Sequence, residues 1–207
     1  MRYAESHRRQ THSRIVESAS YGLRLNGANG LSVVDLMKLA GLTHGGFYNH
    51  FDSRTALVGE AIAFAMDQMT ARWRKLANGK ANGERFEALI ADYLSPWHRD
   101  NPKHGCALPT LAADVARSSP SEQQALASKL EKMIDVLVEL LPGEPPRQAR
   151  QIATGAIATM VGSIMLSRAV GAGKFSDRIL DAGRMTAGAR IRKPQRRTTK
   201  AMRCKKS

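Results

Sequence analysis

Leu31–Phe51, LSVVDLMKLAGLTHGGFYNHF, reads as two short helices joined by a tight turn. Ser32 precedes an apolar-periodic run of Val33, Leu36, Met37, Leu39 and Ala40. That is where a serine hydroxyl can accept a free backbone N–H of a helix's first turn. Gly41 stops this helix, because glycine enters the left-handed conformation without a Cβ clash. Thr43 is placed to cap a second helix, on which Phe47 and Phe51 lie four apart and share a face. Two helices joined by a three- or four-residue turn with a glycine match the helix-turn-helix unit, whose second helix enters the major groove of DNA. The outward residues suit that role: His44, Tyr48, Asn49 and His50 all carry hydrogen-bonding groups. The competing reading is an ordinary helical hairpin whose polar side chains face solvent.

The string Thr43-His44-Gly45-Gly46-Phe47-Tyr48-Asn49-His50-Phe51 resembles the recognition helix of the TetR/AcrR family of bacterial transcriptional repressors. Asp52-Ser53-Arg54 follows where that family commonly has a Ser-Lys pair. The likeness covers roughly Arg8 to Ala61, and beyond it only the helical layout is similar. It implies an all-α fold: a three-helix DNA-binding domain over residues 1–54, then a five- or six-helix ligand-binding and dimerisation domain over 55–189. Carried over residue by residue, Ser32 and Thr43 are caps facing phosphates, a role that helix N-termini fill through their free N–H groups. His44 contacts a phosphate or a base edge, and Tyr48 and His50 contact phosphates. Gly46 allows close approach to the backbone, although relatives often have a base-touching side chain there. Asn49 is the candidate for direct readout, since an amide can bond adenine through two hydrogen bonds. Arg54 resembles the basic residue that grips the DNA backbone at the start of the fourth helix.

The chain has 207 residues and a net charge of +14, with an isoelectric point near 10.4. This points to a polyanionic partner, nucleic acid ahead of a membrane surface. Nine of the cationic residues lie in Arg190–Ser207, a stretch without acids. It reads as a solvated tail that adds phosphate affinity without reading sequence. The N-terminus is polar and lacks the pattern of a secretory signal, so a cytoplasmic location is expected. The longest apolar stretch, Ile152–Gly173, is interrupted by Thr154, Thr159, Ser163, Ser167 and Arg168, and suits a buried interface helix better than a membrane span. Cys106 and Cys204 lack the spacing of a zinc or redox pair. No metal-ligand spacing, phosphate-cradling glycine loop or nucleophile elbow marks an enzyme, and no cofactor is expected.

Apolar residues recur at three and four rather than two, so helices are expected throughout. The first spans about His7 to Leu25, and the fourth starts near Ser53 and carries Val58, Ile62, Ala65, Met69, Trp73 and Leu76. Asn78–Gly83 is expected to break the chain. One further helix is expected to hold Phe86, Leu89, Ile90, Tyr93, Leu94 and Trp97 on one face. Short and long helices follow from about Pro109, Leu126, Pro146 and Asp177. The helix from Pro146 is rich in small residues, Gly155, Ala156, Ala158, Gly162 and Ser163, and suits a close helix–helix crossing.

Trp97, Met133, Met160 and Met165 are candidates to line an apolar effector pocket, since methionine adapts to varied shapes; the commoner role of such residues is simply core. Cys106 lies in HGCALPTLAADVA, just before a helix. A helix N-terminus with Lys103 and His104 nearby favours the thiolate. That segment also resembles a branch of the family in which some members answer electrophiles through a cysteine after a glycine here. The alternative for Cys106 is a small buried hydrophobe. The function so implied is a homodimeric one-component repressor on a palindromic double-stranded operator, released by a small molecule or by thiol modification. The rival is a sequence-indifferent architectural nucleic-acid binder relying on the tail.

Deleting residues 190–207 should leave an operator-binding protein whose affinity depends less steeply on salt. Each phosphate that the tail no longer neutralises takes about 0.9 from the slope of log affinity against log salt. Binding titrations at several salt concentrations measure this, and an unchanged slope would show that the tail does not touch DNA.

Overall fold

The computed structural model describes residues 2–141 and 143–189; the basic tail lies outside the described residues. Among these, the ordered elements are nine α-helices and two short 3-10 turns, with no strands. The helices are α1 (Arg2–Asn26), α2 (Val33–Leu39), α3 (Arg54–Ala77), α4 (Asn82–Tyr93), α5 (Pro96–Asp100), α6 (Leu108–Val115), α7 (Pro120–Glu139), α8 (Pro146–Ala169) and α9 (Lys174–Gly188). The 3-10 turns are His44–Asn49 and Pro102–His104.

α1 buries Ile15, Ala19 and Leu23, spaced by four, and lies against α2 and α3. α3 has 24 residues and so spans about 36 Å. Its buried residues, from Leu57 and Val58 through Ile62, Ala65, Met66 and Met69 to Trp73 and Ala77, recur at three and four along the helix. It packs against α1 along one side and α7 along another, and ties the N-terminal unit to the rest of the chain. α7 starts with a capping box, the Ser119 hydroxyl accepting from Glu122 N–H while the Glu122 carboxylate accepts from Ser119 N–H. It buries Met133, Ile134, Val136 and Leu137.

α8 passes by length and composition for a membrane-crossing helix, yet 44% of that apolar window is buried inside the fold. It packs extensively against α9 and against α7. Its small residues split into two stripes rather than forming one face. Ala156 and Ser163 point inward, Ser163 facing Gly183 of α9, whereas Gly155 is exposed and Gly162 half-buried on the other side. α9 is pinned by Arg99, whose guanidinium donates to Ser176 Oγ at 3.0 Å and to Asp177 at 2.6 Å, while Ser176 Oγ donates to Ser167 O at 2.8 Å.

Three helix boundaries differ from the sequence expectation. α1 begins at Arg2 rather than near His7, because polar residues carry a helix as readily as apolar ones when one end is anchored. The break after α3 is shorter than Asn78–Gly83, since α4 already includes Asn82 and Gly83. The helix of Phe86 ends at Tyr93 with Leu94 as its cap, and Trp97 belongs to a separate helix, because Ser95 caps a new start with Pro96 in its first turn.

Candidate nucleic-acid interface and regulatory core

α2 opens with a reciprocal capping box. Ser32 Oγ accepts from Asp35 N at 3.2 Å, and Asp35 Oδ2 accepts from Ser32 N at 2.8 Å. Ser32 Oγ also donates to Asp35 Oδ2, and these bonds hold the Asp35 carboxyl below its ordinary pKa. The Ser32 hydroxyl and backbone N–H are therefore both occupied within the cap. α2 ends at Gly41, whose φ of +69° is the left-handed conformation the turn requires.

The second helix of the unit is a six-residue 3-10 turn, His44–Asn49, shorter than expected. Thr43 takes the extended cap conformation but its side chain makes no cap hydrogen bond, because the tighter winding carries the first N–H groups away from it. Phe47 and Phe51 are both buried, their rings stacked at 5.7 Å. Burying each such ring contributes about 1.5–3 kcal/mol, which fixes the polar face outward. His44 and Asn49 are exposed and Tyr48 is 69% exposed, its ring edge-on to Phe47. A Cβ at Gly46 would meet only Met37 Cε, at an ordinary van der Waals distance of 3.8 Å.

His50 closes the turn half-buried, between Arg8 and His12 of α1. Burial first, then the charges of His12 and Arg8, lower its pKa. The ring of His12 stacks on Phe51 at 4.4 Å and its Nε2 lies 2.7 Å from Glu60 Oε2. Arg8 donates to the Asn49 carbonyl at 2.8 Å. Arg8, Arg14, Tyr48, Asn49 and His50 share one open groove with His7 and Thr11 of α1. The sequence reading missed these α1 residues. Their signal was a polar, basic stripe at positions 7, 11 and 14, one face of a helix.

Arg54 is drawn inward rather than left free. Its Nε donates to Leu31 O at 3.2 Å and its Nη2 donates to Leu31 O at 2.9 Å and to Ala28 O. It fastens the loop that leads into α2, so its side chain orients the helix-turn-helix unit.

Behind this unit lies the segment Gly105-Cys106. Cys106 is fully buried, and burial pushes its thiol pKa up. The expected thiolate at a helix N-terminus is corrected: desolvation outweighs the hydrogen bonds of Tyr93 and Leu108 and the charges of Arg168 and Arg24. Cys106 N donates to His98 Nε2 at 2.9 Å, and His98 Nδ1 bonds Tyr93 O at 2.6 Å. Gly105 permits this approach, since a Cβ there would lie 2.4 Å from the His98 ring. Met133 and Met160 are fully buried in the core of α7 and α8, whereas Trp97 is 46% exposed. No cavity among the described residues is lined by Trp97, Met133 and Met160 together.

Exposed hydrogen-bonding groups on a short helix, set on a buried aromatic pair and flanked by a basic helix, have the arrangement of a helix-turn-helix unit. Residues 82–174 match the family model for the C-terminal domain of LmrA/YxaF-like transcriptional regulators. The uncharacterized HTH-type transcriptional regulator Rv0196 of Mycobacterium tuberculosis is 26% identical over 163 residues, covering 75% of this chain and 82% of that protein. A TetR transcriptional regulator from Chloroflexus aurantiacus has the same fold, with a TM-score of 0.74 at 22% identity over 92% of this chain and 96% of that one. Reduced Escherichia coli NemR superposes with a TM-score of 0.71 at 19% identity, over 88% and 95%. The chain is thus similar to TetR-type transcriptional regulators, in sequence over its C-terminal helices and in fold over most of its length.

Burial lowers the His98 pKa to about 4 from an ordinary 6.5. A depressed pKa means the unfolded chain binds the proton more readily, so this contribution is complete above pH 6.5 and lost as pH falls towards 4. Unfolding stability should therefore drop by about 2 kcal/mol between pH 7 and pH 5, as 2.303RT times the difference in bound protons accumulates. Chemical denaturation at both values measures it, and His98→Asn should remove most of that dependence. A dependence unchanged in the variant would assign it to other groups.

Proposed function

We propose that the protein is a homodimeric one-component repressor, which sets the His44–Asn49 segments of two protomers in successive major grooves of a roughly palindromic operator. The observation that carries this reading is the exposed set His44, Tyr48 and Asn49 mounted on the buried Phe47–Phe51 pair. Asn49 is assigned direct base readout. Tyr48, His44, Thr43 and the α1 residues Arg8 and Arg14 are assigned to phosphates, which position the protein without reading sequence.

Dimerisation is assigned to the outer face of α8 and α9. Gly155, Gly162, Met165, Leu166 and Val170 lie along one side of α8 and its end, and Phe175 and Met185 of α9 are 57% and 77% exposed. Such a row of apolar and small side chains suits a twofold helix pairing, in which identical patches meet. The effector that fits the buried Cys106 is a non-covalent ligand, because a thiol with no exposed surface and a raised pKa is a poor target for electrophiles.

Selection of bound DNA should yield an inverted repeat, retained over scrambled DNA as salt rises; equal affinity for both would favour an architectural binder instead. Asn49→Ala should relax preference at one base pair per half-site at a cost of about 1–3 kcal/mol, while Tyr48→Ala weakens all sequences alike. An unchanged sequence preference in Asn49→Ala would move the readout to another residue.

A side chain at Gly162 meets nothing within 4 Å inside the chain. Gly162→Leu should therefore keep the monomer fold and melting behaviour of the protomer while overpacking the twofold contact, at a cost of about 1–3 kcal/mol. Sedimentation should show a shift towards monomer; an unaffected dimer would place the interface elsewhere.

A further inference from the structure

A second groove lies away from the DNA-facing surface, where α1, α3 and α5 meet the turn Pro102–His104. Tyr21 and Arg24 of α1, Arg72 of α3, Trp97 of α5 and His104 line it, and it encloses about 500 Å³. This is within the usual range of small-molecule pockets, about 300–1,000 Å³.

Its chemistry is aromatic and cationic. Trp97 is a large side chain left half in solvent, and the Arg72 guanidinium lies 4.9 Å from its ring centre. The Tyr21 ring is approached by Arg24 at 5.1 Å, by Lys103 Nζ at 5.4 Å and by the His104 ring at 5.4 Å. The nearby carboxylates are already engaged. Glu17 Oε1 accepts from the Tyr21 hydroxyl at 2.7 Å, and Asp92 Oδ2 accepts from Arg72 Nε at 2.8 Å. Arg24 is held by neutral acceptors on Ser20, Gly105 and Gln68. Against Arg24, Arg72 and Lys103 stand Glu17 and Asp92, which leaves one positive charge uncompensated. It resides at the exposed Lys103, which has no carboxylate partner among the described residues.

We propose that this groove binds a small aromatic carboxylate, its ring stacked on Trp97 and its carboxylate paired with Lys103 beside Tyr21. Aromatic faces bordered by cations favour a planar π-system, and a carboxylate supplies the missing negative charge. The hydrogen bond from Arg24 Nη1 to Gly105 O, 2.9 Å, crosses from α1 to the segment before α6 at this groove. A bound molecule therefore touches both the N-terminal unit and the helices behind it. The proposal concerns binding alone and goes beyond the repressor reading.

Isothermal titration of the full chain with naphthalene-2-carboxylate, in the absence of DNA, tests it. One site per chain is expected, with naphthalene-2-methanol, which lacks the charge, and cyclohexanecarboxylate, which lacks the aromatic face, each weaker by about tenfold or more. Trp97→Ala and Lys103→Gln should each weaken the carboxylate by about tenfold, with the melting temperature of Lys103→Gln unchanged because that side chain is exposed. Trp97→Phe should restore most of the affinity. Absence of binding, equal binding of the alcohol, or unaltered affinity in both weakened variants would overturn the assignment. Since no DNA is in the cell, any of these leaves operator recognition standing.

Discussion

A buried guanidinium holds the two parts of the molecule together. Arg24 is 2% exposed near the C-terminal end of α1, and a charge so placed is tolerated only when its donors are satisfied. Its Nε donates to Ser20 O at 3.1 Å, its Nη1 to Gly105 O at 2.9 Å, and its Nη2 to Ser20 Oγ at 3.2 Å and Gln68 Oε1 at 3.0 Å. Those acceptors lie on α1, on α3 and on the segment before α6. Removing any one leaves a desolvated N–H unpaired, at a cost of about 1–3 kcal/mol or more for a charged group. The position of α1 against the regulatory helices is fixed by that demand.

Neighbouring bonds extend the same fastening towards the helix-turn-helix unit. Thr110 Oγ1 donates to Arg24 O at 3.0 Å, and Asp114 Oδ2 accepts from Ala28 N at 2.8 Å. Ala28 O and Leu31 O in turn accept from Arg54 at the start of α3. A continuous set of hydrogen bonds thus runs from α6 through the loop 27–31 to the start of α3. A shift of α6 cannot leave this loop in place without breaking one of them. The exposed polar set His44, Tyr48 and Asn49 is carried on the Phe47–Phe51 pair beyond α2.

The site divides by the same physics. On the helix-turn-helix unit the polar groups of Tyr48 and Asn49 stay exposed to solvent. The segment around Cys106 is sealed by His98, whose ring is clamped at both nitrogens. Sealing raises the thiol pKa and lowers that of the imidazole, since each is pushed towards its neutral form. Proximity to a helix N-terminus and to Lys103 favours a thiolate only where solvent or a close cation meets the sulfur, and here burial prevails.

The sequence by itself determined what depends on near neighbours in the chain. Ser32 with Asp35, Gly41, and Ser119 with Glu122 mark helix ends through contacts three or four residues long, and the spacing of Phe47 and Phe51 marks the buried face. Those local signals were enough for an all-helical chain, the helix-turn-helix and its exposed polar set. Tertiary structure alone decided which arginines are tied into the fold, because a guanidinium's partners come from distant segments: Gly105 for Arg24, Leu31 for Arg54, Asp177 for Arg99. It also separated Trp97 from the stripe of Phe86 by starting a new helix at Ser95, and divided the small residues of α8 between α9 and the outer surface. Periodicity places a residue on a face; which faces are covered, and hence which thiol is inert and which aromatic ring is open, is fixed only when the helices meet.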